Sequence, residues 1–321
     1  MSRALVIGHD DVVRLLPYGE CIELMADALA ALARGELHNP LRSILRPPGA
    51  TTLLALMPAY RGGAAPLYGL KTICIAPGNP ARGLDSHQGT VTLFDGDTGE
   101  VRAILEASAV TAIRTAAVSA VATRALAKPG GRTLAILGAG VQGQSHLDAL
   151  RALQGWDEIR VWARDPARAR ALGDGLTVCA SAEEALCGAD VVCTTTSSVE
   201  PVVRRAWLAP GAHVNAVGSS IPSARELDSE TVAAASFFVD RRESAENESG
   251  DYLIPLHEGA IAQGHIRAEL GEVLAGLAPG RYDPAELTVF KSLGIGVEDL
   301  YAAEHVLRRA RETGAGTAVE L

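Results

Sequence analysis

The sequence predicts an α/β protein: a Rossmann-type doubly wound parallel sheet, preceded by a separate α+β region. Three observations carry this. The apolar run Thr133–Leu137 passes directly into Gly138-Ala139-Gly140-Val141-Gln142-Gly143, and a helical stretch opens near Val141. Strand-like and helix-like segments then alternate, with apolar runs at Ile159–Trp162, Val191–Thr194, His213–Val217 and Phe237–Val239. Before the glycine motif, short β-like runs follow one another across Pro- and Gly-rich turns, a pattern of antiparallel pairing.

In chain order, the first clear element is a helix over Glu20–Arg34. Ile22, Met25, Leu29 and Leu32 share one face, and Gly35 stops it. Strands are expected over Thr52–Met57, Tyr68–Ile75 and Gly89–Phe94. Asp95-Gly96-Asp97-Thr98-Gly99 is a hairpin signal before a strand over Glu100–Glu106. Ser108–Ala127 reads as an Ala-rich helix with Ser108 as N-cap, ended by Pro129-Gly130-Gly131. A final strand is expected over Leu287–Ser292. Val297–Arg311 reads as a terminal helix that returns to the first domain, and the tail from Gly314 reads as frayed.

Length and composition set limits. A chain of 321 residues suffices for two domains, and 48% hydrophobic residues suffice for a packed interior. With 4% aromatics that interior rests on Ala, Val, Leu and Ile. The formal net charge is −9 and there is no Lys/Arg run, so no nucleic-acid partner is expected. No apolar run reads as a membrane span. The N-terminus, Met1-Ser2-Arg3-Ala4, enters an apolar stretch broken at once by His9-Asp10-Asp11, which is not a signal-peptide pattern. Cys21, Cys74, Cys179, Cys187 and Cys193 form no C-x-x-C pair and no zinc-like cluster. They read as buried thiols in a cytoplasmic protein without a metal site.

The glycine motif sits in the context a dinucleotide site requires. Gly138 permits the tight turn, Gly140 lets a pyrophosphate approach the backbone, and Gly143 lets helix and strand pack closely. The N–H groups at Val141 and Gln142 open the helix toward the phosphates. At the end of the second strand, an NAD site carries an acid for the ribose 2′-OH. Here Ala163 stands at that place, followed by Arg164, which can pair with a 2′-phosphate, with Arg168 near to assist. NADP(H) is therefore favoured over NAD(H), although Asp165 counts against it. Thr195, in the polar run Thr194–Ser197, and Val217 and Gly218, in Asn215–Ser220, lie at strand ends on the nicotinamide side. Gly218 is read as letting the ring approach.

At this point the sequence resembles the ornithine cyclodeaminase/mu-crystallin family over nearly its whole length. The resemblance is carried by Leu56-Met-Pro-Ala-Tyr60, Gly69-Leu-Lys-Thr72, Ser86-His-Gln-Gly-Thr90, Thr111-Ala-Ile-Arg-Thr-Ala-Ala-Val-Ser-Ala120, Gly138–Gly143, Asn215–Gly218 and Val289-Phe-Lys-Ser-Leu-Gly294. It implies a discontinuous α+β substrate and dimerisation domain, residues 1–125 with 300–321, and a nucleotide domain over residues 126–299. It also implies a homodimer.

By the same resemblance, a substrate carboxylate is held by Arg42, Lys71 and Arg114, with Ser86 and Ser220 beside it. Arg46 could take the place of Arg42 in a shifted register. A bidentate guanidinium plus a point charge suits a small α-carboxylate. Cyclodeaminases add two acids for a distal amine, and the matching positions here are Ala55 and Ser220. Ser86-His87-Gln88 resembles the ketimine-reductase branch. The implied reaction is NAD(P)H-dependent reduction of a cyclic imino acid such as pyrroline- or piperideine-2-carboxylate, with Lys71 or His87 supplying the proton. Ornithine cyclodeamination, an alanine-type dehydrogenase and a non-catalytic crystallin-like binder are the alternatives. Glu243, Glu246 and Glu248 read as a solvated helix face, His213 and His257 as structural, Asp240 as a cap, and Lys291 receives no role.

Overall fold

The computed structural model describes residues 3–321, and of Pro80 only the backbone; Met1 and Ser2 of the N-terminal pattern lie outside the described residues. The first stretch is β1 (Arg3–Ile7), α1 (His9–Leu15), α2 (Tyr18–Ala33), β2 (Leu37–His38), β3 (Ser43–Leu45), β4 (Leu53–Arg61), β5 (Leu67–Ile75), β6 (His87–Asp95), β7 (Val101–Glu106) and α3 (Ala107–Leu126). The middle is β8 (Thr133–Leu137), α4 (Val141–Leu153), β9 (Glu158–Trp162), α5 (Pro166–Arg170), β10 (Thr177–Val178), α6 (Ala182–Leu186), β11 (Val191–Thr194) and β12 (His213–Ala216). Then come α7 (Ser229–Ala234), β13 (Ser236–Val239), α8 (Arg242–Glu248), α9 (Gly250–His257), β14 (Ile266–Glu269), α10 (Leu270–Leu274), β15 (Thr288–Lys291), α11 (Gly296–Thr313) and β16 (Thr317–Glu320). These fall into two compact units. One runs up to Arg114 and takes in Gly294–Leu321; the other is Thr115–Leu293.

The first unit is built on a sheet ordered β16-β1-β7-β6-β5-β4-β2, with β3 also paired to β4. β1 and β7 run parallel and the remaining neighbours antiparallel. The two-residue period of a strand sends Leu53, Ala55, Met57 and Ala59 of β4, and Leu67, Gly69, Lys71 and Ile73 of β5, to one face. α11 lies on that face, against β4, β5 and α2. Glycine is required twice at this contact: a Cβ on Gly69 would stand 2.9 Å from Leu300 Cδ1, and one on Gly296 would stand 2.7 Å from the Pro58 carbonyl oxygen. The β6–β7 turn is held by the Asp95 carboxylate, which accepts from the N–H groups of Asp97 (3.1 Å) and Thr98 (2.9 Å).

The second unit has an all-parallel sheet ordered β10-β9-β8-β11-β12-β15-β13-β14. Its order reverses between β8 and β11, the place where open α/β sheets form a crevice at their strand ends. β15, late in sequence, is inserted between β12 and β13. Its core is aliphatic with Phe237 and Tyr252. A buried polar chain crosses it: Thr123 Oγ1 accepts from Asn215 Nδ2 (2.9 Å), and His213 bonds Asn215 Oδ1 (3.1 Å) and Thr288 Oγ1 (2.9 Å). Burial lowers the His213 pKa to about 3, so the ring is neutral and structural.

Several expectations change. The tail is not frayed: Thr317–Glu320 pairs antiparallel with β1, after Gly314 (φ 70°) reverses the chain at the end of α11. Ser108 does not cap α3. The Glu106 carboxylate does, accepting from the N–H groups of Ser108 (2.7 Å) and Ala109 (2.9 Å). α3 is long and apolar enough to cross a membrane by composition, yet it is largely buried within the fold, as a core helix would be. Cys187 is exposed and Cys74 half-buried, so only Cys21, Cys179 and Cys193 are buried thiols. Asp240 accepts from Arg241 N (2.8 Å) and Leu293 N (2.6 Å), tying two strand ends together rather than capping α8 from its N-cap position, which Arg241 holds.

The first turn of α11 is satisfied from a distance, since Asn39 Oδ1 accepts from Val297 N (3.0 Å) with both residues buried. Asn39→Ala leaves that N–H without its partner and should cost about 1–2 kcal/mol. Urea unfolding at equilibrium is the measurement, and an unchanged midpoint would remove Asn39 from the account.

Candidate functional site

In the second unit, the backbone after β8 forms an open cradle. Gly138 has φ 113°, and a Cβ there would stand 2.7 Å from the Thr195 carbonyl oxygen. A Cβ on Gly143 would stand 2.2 Å from the Gly138 carbonyl oxygen. Gly140 is different: nothing lies within 4 Å of where its Cβ would be. No side chain caps the N-terminus of α4, Val141 is exposed and Gln142 half-buried. The first-turn N–H groups and the positive end of a thirteen-residue helix thus face open space. This fits a dinucleotide pyrophosphate, which needs close backbone approach and N–H donors.

The cradle is braced from beneath. His146 Nδ1 lies 2.7 Å from the Gln142 carbonyl oxygen and Nε2 lies 2.9 Å from Ser119 Oγ. A carbonyl only accepts, so Nδ1 carries the proton and the Ser119 hydroxyl donates to Nε2. Burial lowers the His146 pKa to about 4 and keeps this neutral tautomer at physiological pH.

The ends of β11 and β12 are held by a carboxylate that the sequence reading did not single out. Glu226, wholly buried, accepts from Thr194 Oγ1 (2.6 Å), Thr196 N (2.7 Å), Thr196 Oγ1 (2.7 Å) and Gly218 N (2.7 Å). Asp251 in turn accepts from Glu226 N (2.8 Å) and Leu227 N (3.0 Å), and its other oxygen lies 3.1 Å from Lys291 Nζ. Lys291 also donates to the Ser219 carbonyl oxygen at 2.5 Å. Lys291 therefore has a place: it neutralises this acid pair from within the sheet. Burial raises the Glu226 pKa, while the Lys291 charge opposes the rise.

This changes the account of Gly218. A Cβ there would stand 2.1 Å from the Thr196 carbonyl oxygen and 2.5 Å from Glu226 Oε1, so its glycine is already demanded by contacts within the loop pair. Thr195 donates its hydroxyl to the Leu137 carbonyl oxygen (3.1 Å) and is half-buried, as is Val217; Ser220 is exposed. Arg164 and Arg168 are exposed after β9. Asp165 is engaged as the N-cap of α5, accepting from Ala167 N at 3.0 Å.

In the first unit, Lys71 and Arg114 come together in the interior. Lys71 occupies an inward position of β5 and is 2% exposed; Arg114, two turns into α3, is 3% exposed. Both meet the first turn of α11. Lys71 Nζ lies 3.1 Å from Asp299 Oδ1 and 2.9 Å from Oδ2. Arg114 Nε donates to Asp299 Oδ1 (3.0 Å), and its Nη1 donates to Glu298 Oε2 (2.7 Å). Thr111 Oγ1 lies 3.5 Å from Lys71 Nζ. Burial and the Arg114 charge lower the Lys71 pKa to about 8, with Asp299 opposing them.

Arg42 sits half-buried between β2 and β3, and Arg46 is exposed just after β3. Ser86 Oγ lies 2.9 Å from His87 Nδ1, on the strand next to Lys71. His87 keeps an exposed ring surface, yet partial desolvation by the surrounding chain lowers its pKa, helped by the Lys71 charge and opposed by Asp85. Ala55 is buried in a small apolar cluster with Leu53 and Ile73, flanked by Ile75, on the same face as Lys71. Elsewhere in this unit an open cavity of about 880 Å³ is lined by Arg61, Arg102 and Arg308, each ion-paired to an acid of the same wall. Among the described residues, no group of three or more His, Cys, Asp or Glu is arranged to hold a metal ion.

The missed acids share one signal. Lys71, Arg114 and Lys291 lie in apolar segments, and a buried cation demands a buried anion. Glu226→Gln replaces an acceptor of four hydrogen bonds with an amide that presents two donors. It should lower stability by about 2–4 kcal/mol. Chemical denaturation checks this; a loss no larger than that of an exposed Glu→Gln control would discard the bracing role.

The sequence profile described as the Ornithine cyclodeaminase/mu-crystallin family matches residues 4–314. The chain is 42% identical to the ketimine reductase mu-crystallin of Mus musculus over 87% of this chain and 88% of that protein. A solved structure of Thermococcus litoralis Delta(1)-pyrroline-2-carboxylate reductase, in complex with NADH and L-proline, superposes with a TM-score of 0.93 at 36% identity. The match covers 98% of this chain and 100% of the other. An archaeal alanine dehydrogenase dimer with bound NAD superposes with a TM-score of 0.94 at 29% identity, over 100% of both chains. Profile, relatives and structures agree over nearly the full length: the chain belongs to the ornithine cyclodeaminase/mu-crystallin family.

Proposed function

We propose that the protein is a nicotinamide-dependent reductase of small cyclic imino acids, of the pyrroline-2-carboxylate or piperideine-2-carboxylate type, giving the cyclic L-amino acid. The observation that carries this is that Lys71 and Arg114 lie side by side against the first turn of α11, an ammonium and a guanidinium of the kinds that recognise a small carboxylate. Arg42, Ser86 and Ser220 are assigned to the same substrate. The apolar Leu53–Ala55–Ile73 cluster on the Lys71 face favours a hydrocarbon ring over a chain ending in an ammonium. This weighs against ornithine cyclodeamination.

A reduced nicotinamide bound at Gly138–Gly143 supplies the hydride when present. Lys71 and Arg114 orient the substrate carboxylate. Reduction of C=N to CH–NH also needs one proton, and Lys71, directly or relayed through His87, provides it to the imine nitrogen. Glu226 keeps the Thr194–Thr196 and Val217–Gly218 backbones fixed for the cofactor. Arg164 selects NADP(H): this reading is supported by its exposure just after β9, with no free acid beside it because Asp165 is occupied in capping α5.

A homodimer follows from the same reading. Leu54, Leu56, Tyr60, Tyr68, Leu70 and Phe94 project from the face of the β4–β6 sheet opposite α11 and stay partly exposed, with the Tyr60 and Tyr68 rings 4.5 Å apart and tilted by 35°. Such a face needs a cover, and a second copy of the chain supplies one.

NADPH oxidation should accelerate on adding pyrroline-2-carboxylate or piperideine-2-carboxylate. Lys71→Met should abolish turnover while NADPH still binds; a fully active variant, or no turnover with a panel of cyclic imines, would end this reading. Because the neutral amine has neither the charge for a carboxylate nor the proton, kcat/KM should hold below about pH 8 and fall above it. Arg164→Ala should raise KM for NADPH by about tenfold, the effect of losing one charge-assisted hydrogen bond. KM for NADH should stay unchanged, and equal effects on both cofactors would take the selection away from Arg164.

A further inference from the structure

One carboxylate in the first unit serves two cations. Asp299 spans Lys71 Nζ, at 2.9 and 3.1 Å, and Arg114 Nε, at 3.0 Å. Glu298, its neighbour on α11, accepts from Arg114 Nη1 at 2.7 Å. All four groups are nearly inaccessible, with exposures of 0–3%. Two like charges taken out of water repel, and arginine does not give up its proton. Without an anion at their junction, the lysine would be the one to go neutral and swing away.

We propose that Asp299 is the positioning residue of the substrate cations: it fixes Lys71 Nζ and the Arg114 guanidinium in one geometry and holds the proton on the lysine before substrate arrives. This rests on the reading of Lys71 and Arg114 as carboxylate ligands, but its first test does not. The groups facing Lys71 are Thr111 and Arg114 of α3, Glu298 and Asp299 of α11, and His87 of β6, with uncharged Met57 paired across the strand. Cys21 of α2 faces Arg114 and Glu298; burial raises its pKa, so it stays a neutral thiol. Burial and Arg114 act to deprotonate the lysine, and Asp299, ahead of Glu298, acts against them.

The chain has three lysines, Lys71, Lys128 and Lys291. Protein labelled with ¹³C at lysine Cε therefore gives three resolvable NMR titrations, and Lys71→Met identifies the relevant one. In Asp299→Asn the Lys71 titration should move down by about 1–3 pH units, the effect of removing an adjacent opposite charge. Glu298→Gln should move it less, and Asp299→Glu should restore it. The alkaline limb of kcat/KM for pyrroline-2-carboxylate should move with the lysine signal. A merely structural residue would lower thermal stability and leave the titration in place, and that result overturns the proposal.

Should the Asn variant not fold, Asp299→Glu carries the test: it keeps the charge but displaces it. KM for the imino acid should then rise at least about tenfold, as for a lost charge-assisted contact, with the titration unmoved. An unchanged KM overturns the positioning role. If Asp299→Asn moves the titration while Lys71→Met remains fully active, Asp299 keeps its role and the substrate reading alone fails.

Discussion

The first unit depends on solving one electrostatic problem: two cations lie in its interior, and each would be costly to bury alone. Lys71 enters on the inward register of a strand, and Arg114 on a largely apolar helix. Neither is tolerable without the first turn of α11, so the C-terminal helix must dock before the cation pair has a stable arrangement. That docking is shape-limited as well as charge-limited. Gly69 and Gly296 remove the atoms that would hold α11 away from the sheet, and Asn39 completes its first turn. The acid pair Glu298–Asp299, the glycines and the long return of the chain from residue 294 form one device.

The second unit repeats this logic with different parts. A buried acid, Glu226, gathers the N–H and hydroxyl donors of two strand-end loops, and Asp251 and Lys291 balance its charge from within the sheet. Loops at strand ends are ordinarily the mobile part of an α/β protein. Here their polar atoms are committed inward. The cradle at Gly138–Gly143 is the complementary case. Its inner surface is braced by His146 and its outer surface is left open at Gly140.

What could be read from the sequence follows from the range of each interaction. The glycine motif and the strands around it are local patterns, and β8, β11 and β12 appear within a residue or so of their expected ends. The helix over Glu20–Arg34 has a full apolar face and was legible for the same reason. The helices α5 to α10 are each eight residues or shorter, too brief for a 3.6-residue period to show. β16 is a short strand, Thr317–Glu320, whose partner, β1, lies at the other end of the chain; nothing near it signals pairing. In the candidate site, Lys71 and Arg114 stood out as charges in apolar surroundings. Glu298 and Asp299 did not, because acids in a first helical turn are common on surfaces, where the helix dipole favours them. Glu226 and Asp251 sit in loop and short-helix sequence that reads as solvated.

The scarcity of lysine has a practical consequence. Lys71 is sealed against Asp299, Lys291 against Asp251, and Lys128, the one partly accessible member, lies 2.7 Å from Asp190. Arginine supplies the rest of the positive side chains. Among lysine side chains, reagents that acylate or cross-link amines will find little beyond Lys128 to attack on the folded surface, whereas unfolding would uncover two fresh ones at once. Amine accessibility in this chain is therefore a report on whether its interior is intact.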